Sequence, residues 1–205
     1  MKAALKTHRR AKDRELNKLM AELTDTEAIR CCQSEKDSGH KAFQTIYQRY
    51  RLIVRSYASR MVTAMALDEV IQETFVRLYK SRHSIDENRP LKPYILRIAH
   101  NAALDEIRRI KSSRRLTEDE VEGLESTPRQ AVFDLSEAMT MALKELSPVH
   151  KAVLLLRHEQ KLSFQEIADV LEVSERTARN RLMTAAILFE RVLRRVGVFE
   201  EGEKL

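Results

Sequence analysis

Between residues 40 and 60 the apolar side chains fall at Phe43, Ile46, Tyr47, Tyr50, Ile53, Val54 and Tyr57, steps of mostly three and four that follow a 3.6-residue period. A stripe with that period lies on one side of an α-helix but on both sides of a strand, so it segregates from water only as a helix. The period returns at Val70, Ile71, Phe75, Leu78 and Tyr79, and again at Ile95, Ile98, Ala99, Ala102, Leu104 and Ile107. Turn residues are scarce: 205 residues hold four glycines and four prolines, too few for the many turns of a β-protein. Trp is absent, so the cores should be built from Leu, Ile, Val, Ala and Met. The expected fold is all-α.

The chain divides by composition. Residues 1–23 read as a basic extension, either a short amphipathic helix or a mobile arm. Thr24-x-x-Glu27 is a capping box that should start a helix to about residue 35, with a turn at Lys36-Asp37-Ser38-Gly39. Helices follow over 40–60, 64–80 and 94–109, with a polar loop at 81–93 closed by Pro90 and Pro93. Residues 24–111 therefore form a first domain. Residues 117–125 carry five acids and no base, and 112–132 read as a linker. The second domain spans 133–196, with helices at about 134–146, 148–158, 163–171 and 174–195. A tail covers 197–205.

A formal net charge of +6 suits a polyanionic partner, although an ordinary solvated basic surface would carry it equally well. Cys31 and Cys32 are adjacent and seldom pair, as expected of a reducing cytoplasm. No apolar run is long enough to cross a bilayer, and the basic N-terminus lacks the apolar core of a secretory signal. A soluble cytoplasmic protein with no membrane partner is expected. The six histidines, His8, His40, His83, His100, His150 and His158, form no H-E-x-x-H, and C-x-x-C, phosphate-loop and G-x-S-x-G motifs are missing. We expect no enzyme activity, no cofactor and no metal.

The stretch SFQEIADVLEVSERTARNRLMTA is the most specific. Ser163-x-x-Glu166 caps a helix that buries Ile167, Ala168, Val170 and Leu171. Glu172-Val173-Ser174 makes a short turn with an apolar plug, and the next helix buries Ala178, Leu182 and Ala185. This is a helix-turn-helix layout. Arg176, Arg179, Asn180 and Arg181 lie in the first two turns of its second helix, the part that enters a major groove. There Arg forks onto guanine, and Asn or Arg reaches adenine or phosphate. The bland alternative is a surface helix with solvated arginines.

Both halves resemble bacterial sigma factors of the extracytoplasmic-function class, which bind core RNA polymerase and direct it to promoters. The first half resembles region 2 in AFQTIYQRYRLIVRSYASRM, DEVIQETFVRLYK and YILRIAHNAALDEIRR. The second resembles region 4 in LKELSPVHKAVLLLRHEQKLSFQEIADVLEVSERTARNRLMTA. The resemblance implies that region 4 reads the −35 element through Arg176, Arg179, Asn180 and Arg181. It implies that the loop at 81–90 and the helix at 94–109 capture and melt the −10 element, with Asn101 touching bases and Arg97, Arg108 and Arg109 following phosphates. Asp68, Glu69, Gln72 and Glu73 would face the β′ clamp helices of the polymerase, region 4 would meet its β flap, and the acidic linker would lie in the nucleic-acid channel.

The sequence departs from the family pattern at three places. Leu91 and Tyr94 stand where an aromatic and a Trp are frequent. Glu172 replaces the usual glycine of the helix-turn-helix turn, where a non-glycine residue in left-handed backbone costs on the order of 1 kcal/mol. Thr63 and Ala66 stand where acids are frequent, in a stretch, Val62-Thr63-Ala64-Met65-Ala66, without any charge. Phosphothreonine carries about −1.5 to −2 charges, so phosphate on Thr63 would restore the missing charge. Some groups of the family are associated with Ser/Thr kinases in place of anti-sigma factors, and Arg60 is a basic neighbour of the kind some kinases use. The competing role for Thr63 is a plain helix N-cap. A Ser/Thr kinase and an anti-sigma factor are thus the candidate regulators, and promoter DNA and core polymerase the working partners. A stand-alone helix-turn-helix regulator is the second reading; it would need dimerisation or an effector site.

Overall fold

The structure is a computed structural model that describes residues 22–34, 37–117 and 135–196. Residues 1–21 of the expected basic extension at 1–23, the acidic run of the linker at 118–125 and the tail at 197–205 lie outside the described residues. The described residues form eight α-helices and no strand: α1 (Asp25–Cys32), α2 (Asp37–Met61), α3 (Ala64–Lys80), α4 (Leu91–Thr117), α5 (Leu135–Glu145), α6 (Pro148–Leu154), α7 (Phe164–Leu171) and α8 (Glu175–Arg195). A 3₁₀ turn at Arg82–Ser84 follows α3, and a π-helical turn at Leu155–Glu159 extends α6. None of these helices is long and apolar enough to cross a membrane.

Most boundaries follow from local chemistry. Thr24 accepts from the Glu27 amide while the Glu27 carboxylate accepts from the Thr24 amide, so both expected capping-box bonds form. Ser163 and Glu166 repeat the arrangement at α7, and Ser147 and Ser174 cap α6 and α8. Pro148 opens α6, where a missing N–H is harmless.

Three expected boundaries move. The turn at Lys36-Asp37-Ser38-Gly39 is already helix by Asp37. Gly39 is buried there, and a Cβ would collide with the Ser34 carbonyl oxygen, so the glycine serves close approach of α1 and not a reversal. Helix α4 begins at Leu91, with Pro93 inside its first turn, and runs on to Thr117, past the expected start of the linker. The 3.6-period reading stopped at Arg109, beyond which apolar residues thin out to Ile110 and Leu116. The backbone continues through Arg108, Arg109, Lys111 and beyond because long basic side chains are good helix formers without burial.

Helices α2, α3 and α4 pack on one another, with α1 across α2; α6 and α7 flank the long α8, and α5 lies along its far end. The two groups meet where α7 packs on α4 and α6 touches α2. One apolar core runs through both groups, and a small second one joins Ala138 and Ala142 to Val192 and Leu193. Helix α4 is the centre: Leu91, Ile95, Leu96, Ala99, Ala102 and Ala103 are all buried. That is wider than one stripe, as befits a helix packed against α2, α3 and α7 together. Each fully buried Ile or Leu contributes about 1.5–3 kcal/mol.

Candidate nucleic-acid and polymerase interfaces

The helix-turn-helix has the expected geometry. Glu172 closes α7 in left-handed backbone (φ 52°, ψ 48°), the strained conformation anticipated for a non-glycine residue there. Val173 packs against the core from within the turn, and Ala178 and Ala185 are fully buried. Arg176, Arg179 and Asn180 are exposed together at the start of α8, while Arg181 is half-buried. Arg179 lies with its guanidinium carbon 4.1 Å from the centre of the Phe164 ring and donates from Nε to Glu175 at 3.1 Å. Arg157 lies over the same ring at 4.8 Å. Phe164 thus holds Arg179 in place, a role that the sequence pattern does not reveal. Arg181 belongs to a different environment, since its positive charge acts on His100 of α4.

His100 is buried and bonded through Nδ1 to the Tyr57 hydroxyl at 2.9 Å. Burial first, then the charges of Arg181 and Arg108, lower its pKa to about 4. It is a neutral packing histidine at physiological pH. Of the four −10 candidates, Arg97 and Asn101 are half-buried, and Arg97 lies 5.1 Å from the centre of the Tyr94 ring. Tyr94 donates to Ser81 at 3.1 Å, tying α4 to the loop before it. Arg97 and Tyr94 line a cavity of about 260 Å³ with Ser84, Asp86 and Arg89, and Glu166 and Asp169 of α7 complete its wall. Lys92 donates to the Gln160 carbonyl at 2.6 Å, and Ser56 bonds to Glu159, so the contact between the two helical groups carries polar ties on both sides. Arg108 and Arg109 are exposed but engaged: Arg108 reaches Asp105 at 3.4 Å, and Arg109 reaches Glu106 at 2.7 Å and Glu69 at 3.1 Å.

The candidate polymerase edge lies on α3. Asp68, Glu69 and Gln72 are exposed and Glu73 is half-buried. Each of the three acids has an arginine partner: Arg55 of α2 at 3.5 Å from Asp68, Arg109 of α4 at 3.1 Å from Glu69, and Arg77 at 2.7 Å from Glu73. Arg77 also reaches Asp105 at 3.0 Å. Its pKa is raised, first by the Glu73 hydrogen bond, and that of Arg109 is raised first by its bonds to Glu106. The Glu73–Arg77 spacing of four was legible as a helix-face pair. The other two partners come from different helices and left no sequence signal.

Thr63 occupies the N-cap of α3 in extended backbone (φ −69°, ψ 159°), is exposed, and makes no side-chain cap bond. The first turn of α3 has no acidic residue. Ala66 is buried at 5 % exposure, so it is not part of the surface edge; the shortage of charge falls on residues 63–65, where Ala64 and Met65 are also exposed. Among the described residues no cluster of His, Cys, Asp and Glu is arranged to hold a metal.

Residues 46–113 match the Sigma-70 region 2 family and residues 136–186 match Sigma-70, region 4. The chain is 27 % identical over 144 residues to ECF RNA polymerase sigma factor SigM of Bacillus subtilis, covering 68 % of this chain and 88 % of that protein. It is 28 % identical over 149 residues to RNA polymerase sigma factor CarQ of Myxococcus xanthus, covering 71 % and 86 %. Its fold is similar to CnrH in complex with the cytosolic domain of CnrY (TM-score 0.61, 19 % identity, 83 % of this chain and 97 % of that one). It is similar to the same degree (TM-score 0.61, 19 % identity, 75 % and 98 %) to the sigma factor RpoE of Bartonella quintana in complex with the anti-sigma factor NepR. Two helical modules that match regions 2 and 4 in the family's order, the second carrying a capped helix-turn-helix, together with these relatives, place the chain in the extracytoplasmic-function class of RNA polymerase sigma factors.

Proposed function

We propose that this sigma factor docks the α3 edge, Asp68, Glu69, Gln72 and Glu73, on the β′ clamp helices of core polymerase and region 4 on the β flap. Arg176, Arg179, Asn180 and Arg181 would then read the −35 element, and Arg97, Asn101, Arg108 and Arg109 the −10 element. The two elements are separated by at least two turns of duplex, on the order of 70 Å. Helix α7 lies against α4, so the modules must part before both elements are engaged. Lys92, Ser56 and Arg181 are then freed from their cross-module neighbours.

Phosphorylation of Thr63 by a Ser/Thr kinase is the control we infer. One observation carries it: Thr63 is exposed at a helix start that has no acid in its first turn, and its hydroxyl makes no cap bond. A phosphate there gains from the helix dipole and supplies three acceptor oxygens to basic residues of a clamp. The anti-sigma partner in the RpoE structure suggests protein antagonism as the other means of control.

The test compares unmodified chain, chain phosphorylated at Thr63, Thr63→Ala and Thr63→Glu for core polymerase binding and promoter-specific transcripts. The expected gain from phosphate is about a hundredfold in affinity, the order of one or two charge-assisted hydrogen bonds. Full transcription from Thr63→Ala would sink the phosphate reading. A weak Thr63→Glu would not, since a single carboxylate copies neither the charge nor the geometry of phosphate. Tight promoter binding without polymerase would favour the stand-alone regulator.

A further inference from the structure

The acids on α3 are the part of the polymerase edge that remains charged, yet none of the three stands apart from an arginine. Arg55 comes to Asp68 from α2, Arg109 to Glu69 from α4, and Arg77 to Glu73 from within α3. Arg77 and Arg109 share themselves further with Asp105 and Glu106. We infer that Arg55, Arg77 and Arg109 are built-in counterions that cancel much of the negative charge on the polymerase-facing edge of the unmodified chain. They act through the acids they pair with, as positioning residues that set how much negative charge a docking partner meets.

The physics separates bond strength from charge. Exposed ion pairs of this kind are weak, and Arg55 and Asp68 keep 57 % and 91 % of their side-chain surface, so the arginines do not lock the fold. Charge cancellation does not need a strong bond. With a guanidinium 2.7 to 3.5 Å from each carboxylate and salt screening over about 8 Å, an approaching basic helix meets carboxylates whose charge is partly cancelled. Steering of the encounter falls, and each acid must give up one arginine to gain another. Phosphate on Thr63 adds charge beyond this paired set, at a helix start with no acid in its first turn. The inference rests on the reading that α3 faces polymerase, but not on Thr63 being modified.

The experiment uses the full chain, unmodified, and measures core polymerase binding at low and physiological salt. Arg55→Gln, Arg77→Gln and Arg109→Gln are made singly and together. The triple variant is expected to bind about tenfold more tightly than wild type, with a steeper loss on adding salt. Arg77 and Arg109 join helices, so thermal melts accompany each variant. Arg55→Gln alone, which removes a single long pair, should still gain about twofold. A cycle with Asp68→Asn supplies a readout that a merely structural role would not move: the gain from Arg55→Gln should vanish once Asp68 is gone. Unchanged or weaker binding by a folded triple variant overturns the inference, as does a gain from Arg55→Gln that survives Asp68→Asn. Failure of the docking reading is seen separately: charge reversal by Asp68→Lys and Glu73→Lys would then leave binding of the unmodified chain unchanged.

Discussion

Helices α3 and α7 start alike and use their starts differently. Thr63 and Ser163 hold nearly the same extended backbone, φ −69° and ψ 159° against φ −67° and ψ 163°. Ser163 accepts from the Glu166 amide at 3.2 Å and the Glu166 carboxylate accepts from the Ser163 amide at 2.8 Å. At α3 the residue matching Glu166 is Ala66, which is buried, and the Thr63 hydroxyl makes no cap bond. A start that satisfies its own amides stabilises a helix. A start that leaves them open, without an acid nearby, is a place where an added anion does most. In region 4 the cap hydroxyl serves the fold; in region 2 it makes no such bond.

The largest expected effect lies away from both caps, in the core of region 2 at His100. Its folded pKa of about 4 lies below its ordinary 6.5, so the unfolded chain binds the extra proton between those values. Stability should be whole above about pH 6.5 and fall by about 3 kcal/mol as pH drops towards 4. Denaturant melts across that range check it, and His100→Gln should flatten the slope. Next, Ser163→Ala should cost about 1 kcal/mol, up to about 2, because it empties a capping box. Of similar size and opposite sign, Glu172→Gly should stabilise region 4 by about 1 kcal/mol by relieving left-handed backbone at the end of the same helix. Smallest, Thr63→Ala should change stability by less than about 0.5 kcal/mol, far less than Ser163→Ala. A cost near 1 kcal/mol at Thr63 would show a cap at work in solution and erase the contrast.

Much of this was legible without coordinates. The fold class followed from apolar periods and scarce turn residues. The start of α3 at residue 64 and the boundaries of α7 came within a residue, because caps and hydrophobic spacing act over three or four positions. The exposed grouping of Arg176, Arg179 and Asn180 also followed from helix geometry. Less legible were the ends of α4: Pro93 reads as a stop, yet it sits in the first helical turn where its missing N–H costs nothing. The reading of Ala66 as part of a charge-poor surface missed its burial, since a small apolar residue looks the same inside and out. Arg181 was grouped with its neighbours by its place in the first two turns, but it lies one, two and five residues from Asn180, Arg179 and Arg176, and the helix turns it towards a different environment, the one that holds His100.

Taken by itself, the sequence determined the helices, their caps, the helix-turn-helix and the two-module order of a sigma factor. Each of these depends on residues a few positions apart, whose neighbours are known before the chain folds. The tertiary structure alone decided that Arg55 meets Asp68 and Arg109 meets Glu69, across 13 and 40 residues of chain. It also decided that Phe164 carries two arginines and that α4 is covered on more than one side. Charges pair with whatever packing brings within a few ångströms, and packing is settled by the whole core and not by any window of sequence.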